Sequence, residues 1–344
     1  MGYKIYTTST KTWDAMIAEI NQAKKSIFLE MYIFMEDTSS SHDFIGKLTE
    51  KASHGVRVVL VLDAFGSSEL SAQTIKSMRS AGIEILFFSH WLRHIHRKIL
   101  IVDENTAFVG GVNIGKRFAA WNDLQLKLRG RIIRPIMSSF AYSYEMAGGK
   151  NKQILLLRKK ALVSKLKFWV LEHWPVSGMF SLKSLYTQKI SAAQKNIQIV
   201  TPYLTPPRWF VALLDAAIKR GVKIELIIPK KTDSLFMDRM NHYYAHKLSV
   251  LGVKFYLSRE MNHAKILLID DREGLVGSQN IDFLSFRFNA ESGIFFKQQN
   301  IVSELKEIIL QWQKNATIYD QTRYKTGLTD YLMFPIIKLI YHLL

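Results

Sequence analysis

The chain has 344 residues, 48% apolar and 22% charged, and its 47 Lys plus Arg against 29 Asp plus Glu leave a net charge of +18. That balance excludes a disordered chain, a collagen-like fibre and a polytopic membrane protein, and the length allows one large or two medium domains. The lack of cysteine removes disulfides, thiol nucleophiles and Cys-ligated metals, while the positive surplus points to a polyanion, either nucleic acid or an anionic lipid surface.

In chain order, helical spacing over 11–25 precedes β-rich apolar runs at 26–34 and 56–62, a helix over 68–81 and a strand at 83–88. The run His96-Arg97-Lys98-Ile99-Leu100-Ile101-Val102-Asp103 then opens an apolar strand on a His and a Lys two residues apart, and Gly110-Gly111-Val112-Asn113 follows it. Alternation along a strand sends His96 and Lys98 to one face, and the Ile, Leu and Val behind them anchor that strand in a sheet.

Residues 150–167 carry seven basic side chains and no acid, interleaved with leucines. On a helical wheel Leu155, Leu162, Leu166 and Trp169 form a stripe flanked by cations, which reads either as an inter-lobe linker or as a helix lying in a lipid interface. Strands follow near 197–203, 222–228 and 253–257, with helices near 206–220 and 234–250. Next comes His263-Ala264-Lys265-Ile266-Leu267-Leu268-Ile269-Asp270, and then Gly277-Ser278-Gln279-Asn280.

Every matched position of the two motifs is separated by 167 residues, from 96 and 263 to 113 and 280, and Gly55-Val56-Arg57-Val58 recurs as Gly221-Val222-Lys223-Ile224. This reads as an internal duplication of an α/β lobe. The expected division is a first lobe at 1–149, a basic amphipathic segment at 150–180, a second lobe at 181–320 and an apolar tail at 321–344. A helix over the tail's last fourteen residues, Tyr331–Leu344, would reach only about 21 Å, short of a ~30 Å hydrocarbon core. It suits a final core helix or a segment dipping into one leaflet. No apolar run is long enough to span a bilayer, so membrane contact is expected to be peripheral.

Two imidazoles and two ammonium groups converging on one site suit a phosphodiester. A neutral His attacks phosphorus, a protonated partner donates to the leaving oxygen, and the lysines offset charge on the non-bridging oxygens. This chemistry requires no metal or cofactor. His94, two residues before His96, and the pair His242 and His246 at helical spacing complete no recognisable ligand set, so they are read as packing or surface residues.

The doubled pattern, H-x-K-x(4)-D followed by G-G/S-x-N, resembles the phospholipase D superfamily. Leu29-Glu30-Met31-Tyr32-Ile33-Phe34, Trp121-Asn122-Asp123, Thr201-Pro202-Tyr203-Leu204-Thr205-Pro206 and Ser285-Phe286-Arg287-Phe288-Asn289-Ala290-Glu291 are most similar to bacterial cardiolipin synthases. The resemblance implies two similar lobes, each a mixed sheet flanked by helices, related by a pseudo-two-fold axis with one active site between them. It implies transfer through a covalent phosphohistidine, with His96 and His263 as nucleophile and general acid, and His96 favoured for the first role.

In the same reading Lys98 and Lys265 hold phosphate oxygens, Asn113 and Asn280 bond to them, and Asp123 and Glu291 fix the imidazole tautomers. Asp103 and Asp270 complete the motif with a role that is more structural than chemical. The implied substrates are phospholipids, with phosphatidylglycerol as donor and a second lipid alcohol as acceptor. The expected setting is the cytoplasmic face of a bacterial inner membrane. A phospholipase D-type hydrolase, or a metal-independent nuclease acting on nucleic acid, is the alternative on the same scaffold.

Overall fold

The computed structural model describes residues 2–158 and 168–323. The first lobe runs β1 (Tyr3–Thr8), α1 (Ser9–Gln22), β2 (Ser26–Met31), α2 (Phe44–Ser53), β3 (Arg57–Asp63), α3 (Ala72–Ser80), β4 (Glu84–Phe88), β5 (Lys98–Val102), β6 (Thr106–Gly110), β7 (Asn122–Arg129), α4 (Ile133–Met146) and the short α5 (Lys152–Leu155). The second begins with β8 (Phe168–His173), α6 (Ser181–Ala192), β9 (Asn196–Val200), β10 (Leu204–Thr205), α7 (Arg208–Lys219), β11 (Lys223–Pro229), α8 (Leu235–Val250) and β12 (Lys254–Ser258). It ends with β13 (Ile266–Ile269), β14 (Glu273–Gly277), β15 (Ile281–Asp282), α9 (Phe283–Arg287), β16 (Glu291–Phe296), α10 (Gln299–Lys314) and β17 (Ala316–Ile318).

The duplication is written into the strand order. One sheet reads β1-β7-β6-β5-β2-β3-β4 and the other β8-β16-β14-β13-β9-β11-β12, with β17 added at its edge. In both, three consecutive strands are parallel (β2, β3, β4 and β9, β11, β12) and the motif strand runs antiparallel to the first of them. β2 is buried at every position, as a strand covered on both faces must be, and its near-continuous apolar sequence follows from that. The recurring Gly-Val pair sits where helices stop. Gly55 and Gly221, at φ +84° and +86°, lie one residue beyond the caps of α2 and α7, in the left-handed conformation that glycine adopts without a Cβ penalty.

Alternation along the motif strands divides the core into layers. Ile99, Ile101, Ile266 and Leu268 face a shared core with α4 and α10. Leu100 and Val102 face α1, α2 and α3, while Leu267 and Ile269 face α6, α7 and α8. The sequence of layers is therefore helices, sheet, inter-lobe helices, sheet, helices.

One expectation changes here. The helical stripe drawn through Trp169 is broken, because Trp169 lies in β8, which pairs antiparallel with β16, and its ring stacks on Phe295 at 4.1 Å. Its β-rich neighbours Phe168 and Val170 fit a strand at the sheet edge better than a helix. The rest of the basic stretch, 159–167, and the expected apolar tail beyond residue 323 lie outside the described residues. Among the described residues no helix is long and apolar enough to cross a membrane.

Candidate active site

The two motifs meet at a crossed pair of backbone contacts between the lobes. His96 N–H donates to Ala290 O at 2.9 Å and Ala290 N–H donates to His94 O at 2.8 Å. Symmetrically, Asn122 N–H donates to Met261 O at 3.0 Å and His263 N–H to Asn122 O at 2.6 Å. The residue after each of these partners is an acid, so each imidazole receives its carboxylate from the opposite lobe. His96 Nδ1 lies 3.1 Å from both oxygens of Glu291, and His263 Nδ1 lies 2.7 Å from Asp123 Oδ2. A carboxylate on Nδ1 leaves Nε2 as the reactive nitrogen and fixes the ring.

Lys98 and Lys265 are buried and fold back identically, donating from Nζ to His96 O at 2.6 Å and His263 O at 2.5 Å. Asn113 and Asn280 are buried beside them. Asn113 Oδ1 accepts from Ile33 N–H at 3.4 Å, whereas Asn280 Oδ1 has no hydrogen-bond partner among the described residues. Gly111 permits the close approach of Asp123, since a Cβ there would stand 2.3 Å from Asp123 Oδ1.

Asp103 and Asp270, which complete the motif and were expected to be more structural than chemical, lie away from the histidines. They follow the far ends of β5 and β13 from the histidines. Asp103 accepts from the N–H groups of Lys24, Lys25 and Ser26 at 2.7–3.1 Å, and Asp270 from those of Gln194, Lys195 and Asn196 at 2.7–3.2 Å. Each ties the hairpin turn of its motif to the start of the neighbouring parallel strand, which is a structural task.

Burial dominates the electrostatics. It pushes His96 down to about 4 and His263 well below the ordinary imidazole range, with Lys265 and Lys98 adding to the fall at His263. Burial likewise lowers Lys265 to about 8 and Lys98 well below the usual amine value. The two carboxylates then part company. Burial raises Asp123 to about 7, only partly offset by Lys265 and the Leu124 N–H. Burial also works to raise Glu291, but His96, Lys98 and Ser278 outweigh it and hold that carboxyl below its usual value. At 2.7 Å, His263 and Asp123 titrate as one pair, and a depressed imidazole beside an elevated carboxyl means that the pair retains a shared proton near neutrality.

The source of this inequality was not singled out in the sequence. Ser278 and Ser285 both donate to Glu291, the latter at 2.7 Å, while Asp123 receives the single Leu124 N–H at 2.7 Å. The visible signal was the change from Gly-Gly to Gly-Ser between the motifs. Two tyrosines were also missed as site residues. Tyr32 places its ring 4.8 Å from the His96 ring and 4.9 Å from Lys98 Nζ, and Tyr203 lies 6.1 Å from the His263 ring. His94 bonds through Nδ1 to Asp63 at 3.2 Å, and Asp63 also accepts the Ile95 N–H at 2.9 Å. It thus steadies the segment that delivers His96. His242 and His246 lie on α8. The arrangement offers one unprotonated imidazole, one imidazole paired with a proton, and two buried amines, which is what displacement at a phosphodiester requires.

Comparison with known proteins agrees with this geometry. The chain matches the family described as cardiolipin synthase, PLD-like domain, over residues 16–144 and again over 186–312. It is 28% identical to the probable cardiolipin synthase YwiE of Bacillus subtilis, over 95% of this chain and 69% of that protein. It is 31% identical to a cardiolipin synthase of Clostridium perfringens, over 88% of this chain and 68% of that protein. Among solved structures, the phosphatidylserine synthase of Haemophilus influenzae superimposes with a TM-score of 0.78 at 15% identity, covering 98% of this chain and 92% of that one. Two matched segments, one in each lobe and each carrying its own His and Lys, place this chain in the phospholipase D superfamily as a member of the cardiolipin synthase PLD-like family.

Proposed function

We propose that the chain transfers a phosphatidyl group from phosphatidylglycerol to a second lipid alcohol through a phosphohistidine on His96, with cardiolipin as the leading product. The observation that carries this reading is the unequal pairing of the histidines. Glu291, held ionised by two serines, accepts the Nδ1 proton of a neutral His96 and leaves its Nε2 lone pair free. The proton retained by the His263–Asp123 pair puts a hydrogen on His263 Nε2.

In the first step His96 Nε2 attacks phosphorus and forms a P–N bond. The P–O bond to glycerol breaks, its electron pair stays on oxygen, and His263 supplies the proton. In the second step the acceptor hydroxyl gives its proton to His263 and its oxygen attacks phosphorus. The P–N pair then returns to His96. Lys98 and Lys265, with Asn113 and Asn280, are the groups available to the non-bridging oxygens as charge builds. The lipid substrates place the protein on an anionic membrane surface, on the cytoplasmic face of a bacterial inner membrane.

Incubation of the purified protein with phosphatidylglycerol vesicles, followed by mass spectrometry, should give cardiolipin and glycerol in equal amounts. Phosphatidic acid alone would convert the reading to a hydrolase. Neither product, together with cleavage of single-stranded DNA, would replace it with a nuclease.

A further inference from the structure

Twelve large apolar side chains are exposed among the described residues, and their placement is uneven. Eight lie in segments at the end of the two sheets where the histidines sit. The other four, Leu156, Val250, Leu310 and Ile318, lie on α5, α8, α10, β17 or their edges.

Each member of the larger set connects to the catalytic groups within a few contacts. Phe65, 71% exposed, follows β3 and lies 5.3 Å, ring to ring, from His94. Trp91, 81% exposed, and Leu92 occupy the β4–β5 segment that ends in His96. Phe180, with Met179 before it, lies 6.1 Å from the ring of His173, which is the register partner of Glu291. Leu235, 86% exposed, and Phe236 open α8 just after Asp233, which accepts from Tyr203 OH at 2.6 Å beside the His263 ring. Leu284 sits next to Ser285, a donor to Glu291. Both lobes therefore contribute apolar fingers around one mouth.

We infer that this mouth is the membrane-docking face, and that Phe65, Trp91, Leu92, Phe180, Leu235 and Leu284 enter the headgroup–acyl boundary of an anionic bilayer so that the histidines open onto the lipid. The inference rests on the lipid reading above and locates the contact that the reading requires. Isolated exposed apolar residues are ordinary, but eight of twelve gathered at the histidine end of the two sheets mark an interaction surface. Separate fingers on loops suit a deformable lipid interface better than a flat protein partner.

The charges of the same segments are balanced. Lys116, Arg117, Lys230, Lys231 and Arg287 are exposed there. Glu36, Asp37, Asp43, Glu69 and Asp233 lie in the same segments, bonded to Ser71, the Lys116 N–H, the Gly46 N–H, Arg117 and the Tyr203 OH, so the attraction to anionic lipid comes from the protein as a whole. The net charge of +18 draws the whole protein toward anionic lipid.

Flotation of the full chain with phosphatidylglycerol vesicles tests this without any turnover. The double variant Trp91→Ser, Leu235→Ser should bind about tenfold or more weakly than wild type, while Val250→Ser, on an exposed position away from the mouth, should float as wild type does. Lipids brominated near the headgroup end of the acyl chain should quench the tryptophan fluorescence, and Trp91→Phe, which leaves half-buried Trp121 beside His263, should reduce that quenching while still floating. Equal flotation of wild type and the double variant, equal loss in Val250→Ser, or quenching undiminished by Trp91→Phe would each overturn the proposal. A change of oligomeric state in the double variant with flotation intact would assign the mouth to a second copy instead. Protein that docks through the mouth yet makes neither cardiolipin nor phosphatidic acid would refute the catalytic reading alone.

Discussion

The two lobes share a strand order and a motif, yet they solve the same positions differently. Glu30 and Val200 occupy equivalent register positions, opposite Ile99 and Ile266, and Arg97 stands where the second lobe has Ala264. The first lobe thus buries an ion pair, Arg97 Nε to Glu30 Oε1 at 3.2 Å with both side chains fully enclosed, where the second buries only alkyl groups. Near the chemistry the inequality reverses. The second lobe supplies Glu291 with Ser278 and Ser285, whereas the first leaves Asp123 with one backbone donor. Duplication fixed the architecture, and divergence at a few buried polar positions gave the two histidines unequal partners.

The most severe way to break the comparison is to remove each histidine in turn. His96→Asn and His263→Asn should both lower turnover of phosphatidylglycerol by about 10³-fold or more, with folding intact by circular dichroism. The two variants should then differ. With a phosphatidyl donor whose leaving group needs no proton, such as a nitrophenyl ester, His263→Asn should still form an acid-labile phosphoenzyme and His96→Asn should not. Phosphoenzyme in His96→Asn would exchange the assigned roles.

The buried ion pair offers the next largest effect, on stability. Arg97→Met alone strands the Glu30 carboxylate and should cost about 3–5 kcal/mol in urea unfolding. Arg97→Met combined with Glu30→Leu, which imitates the apolar second lobe, should recover much of that loss, because two apolar groups replace a desolvated pair. A double variant less stable than either single variant would mean that Ser139 and Ser143, hydrogen-bonded to Arg97 and Glu30, depend on the charges.

Much of this was legible beforehand because it repeats. The strand and helix positions of both halves and the layered α/β architecture follow from apolar periodicity and a duplicated motif, whereas Asp123 and Glu291 as imidazole partners came from the family resemblance, which did not say which acid meets which histidine. What periodicity could not reveal were contacts between distant segments. The basic run before Trp169 has a helical stripe, but β16 offers an open edge, and long-range strand pairing overrides local pattern. Ser285 and the two tyrosines reach the site only because the lobes close on each other. For Asp103 and Asp270, read as more structural than chemical, only the structure could name the N–H groups of the neighbouring strand that each one binds.

Smaller in size, and sharper, is the pH profile. For kcat/KM, activity should rise as pH increases through about 4, where His96 loses its proton. It should fall above about 7, where the Asp123–His263 pair loses the proton it donates. Ser278→Ala removes a donor to Glu291 and so raises the proton affinity of the Glu291–His96 pair. The acidic limb should move to higher pH, with a rate loss of about tenfold and an unchanged alkaline limb. Movement of the alkaline limb instead would mean that Ser278 serves the acid and not the nucleophile.

The smallest effect is expected at Asp103, and it separates motif membership from chemistry. Asp103 has φ +50° and gathers three N–H groups at the start of β2, two of them near enough to solvent for water to replace the carboxylate in part. Asn tolerates the left-handed conformation and keeps one acceptor oxygen, so Asp103→Asn should cost about 1 kcal/mol of stability. Asp103→Ala loses the local side-chain hydrogen bonds that offset that conformation for Asp and Asn, and should cost roughly 1 kcal/mol more. Because the carboxylate serves the turn rather than the phosphorus, both variants should keep kcat within about twofold at 25 °C, where the stability loss remains small against the whole. A tenfold fall in kcat with little change in urea midpoint would return Asp103, and Asp270 with it, to the catalytic group.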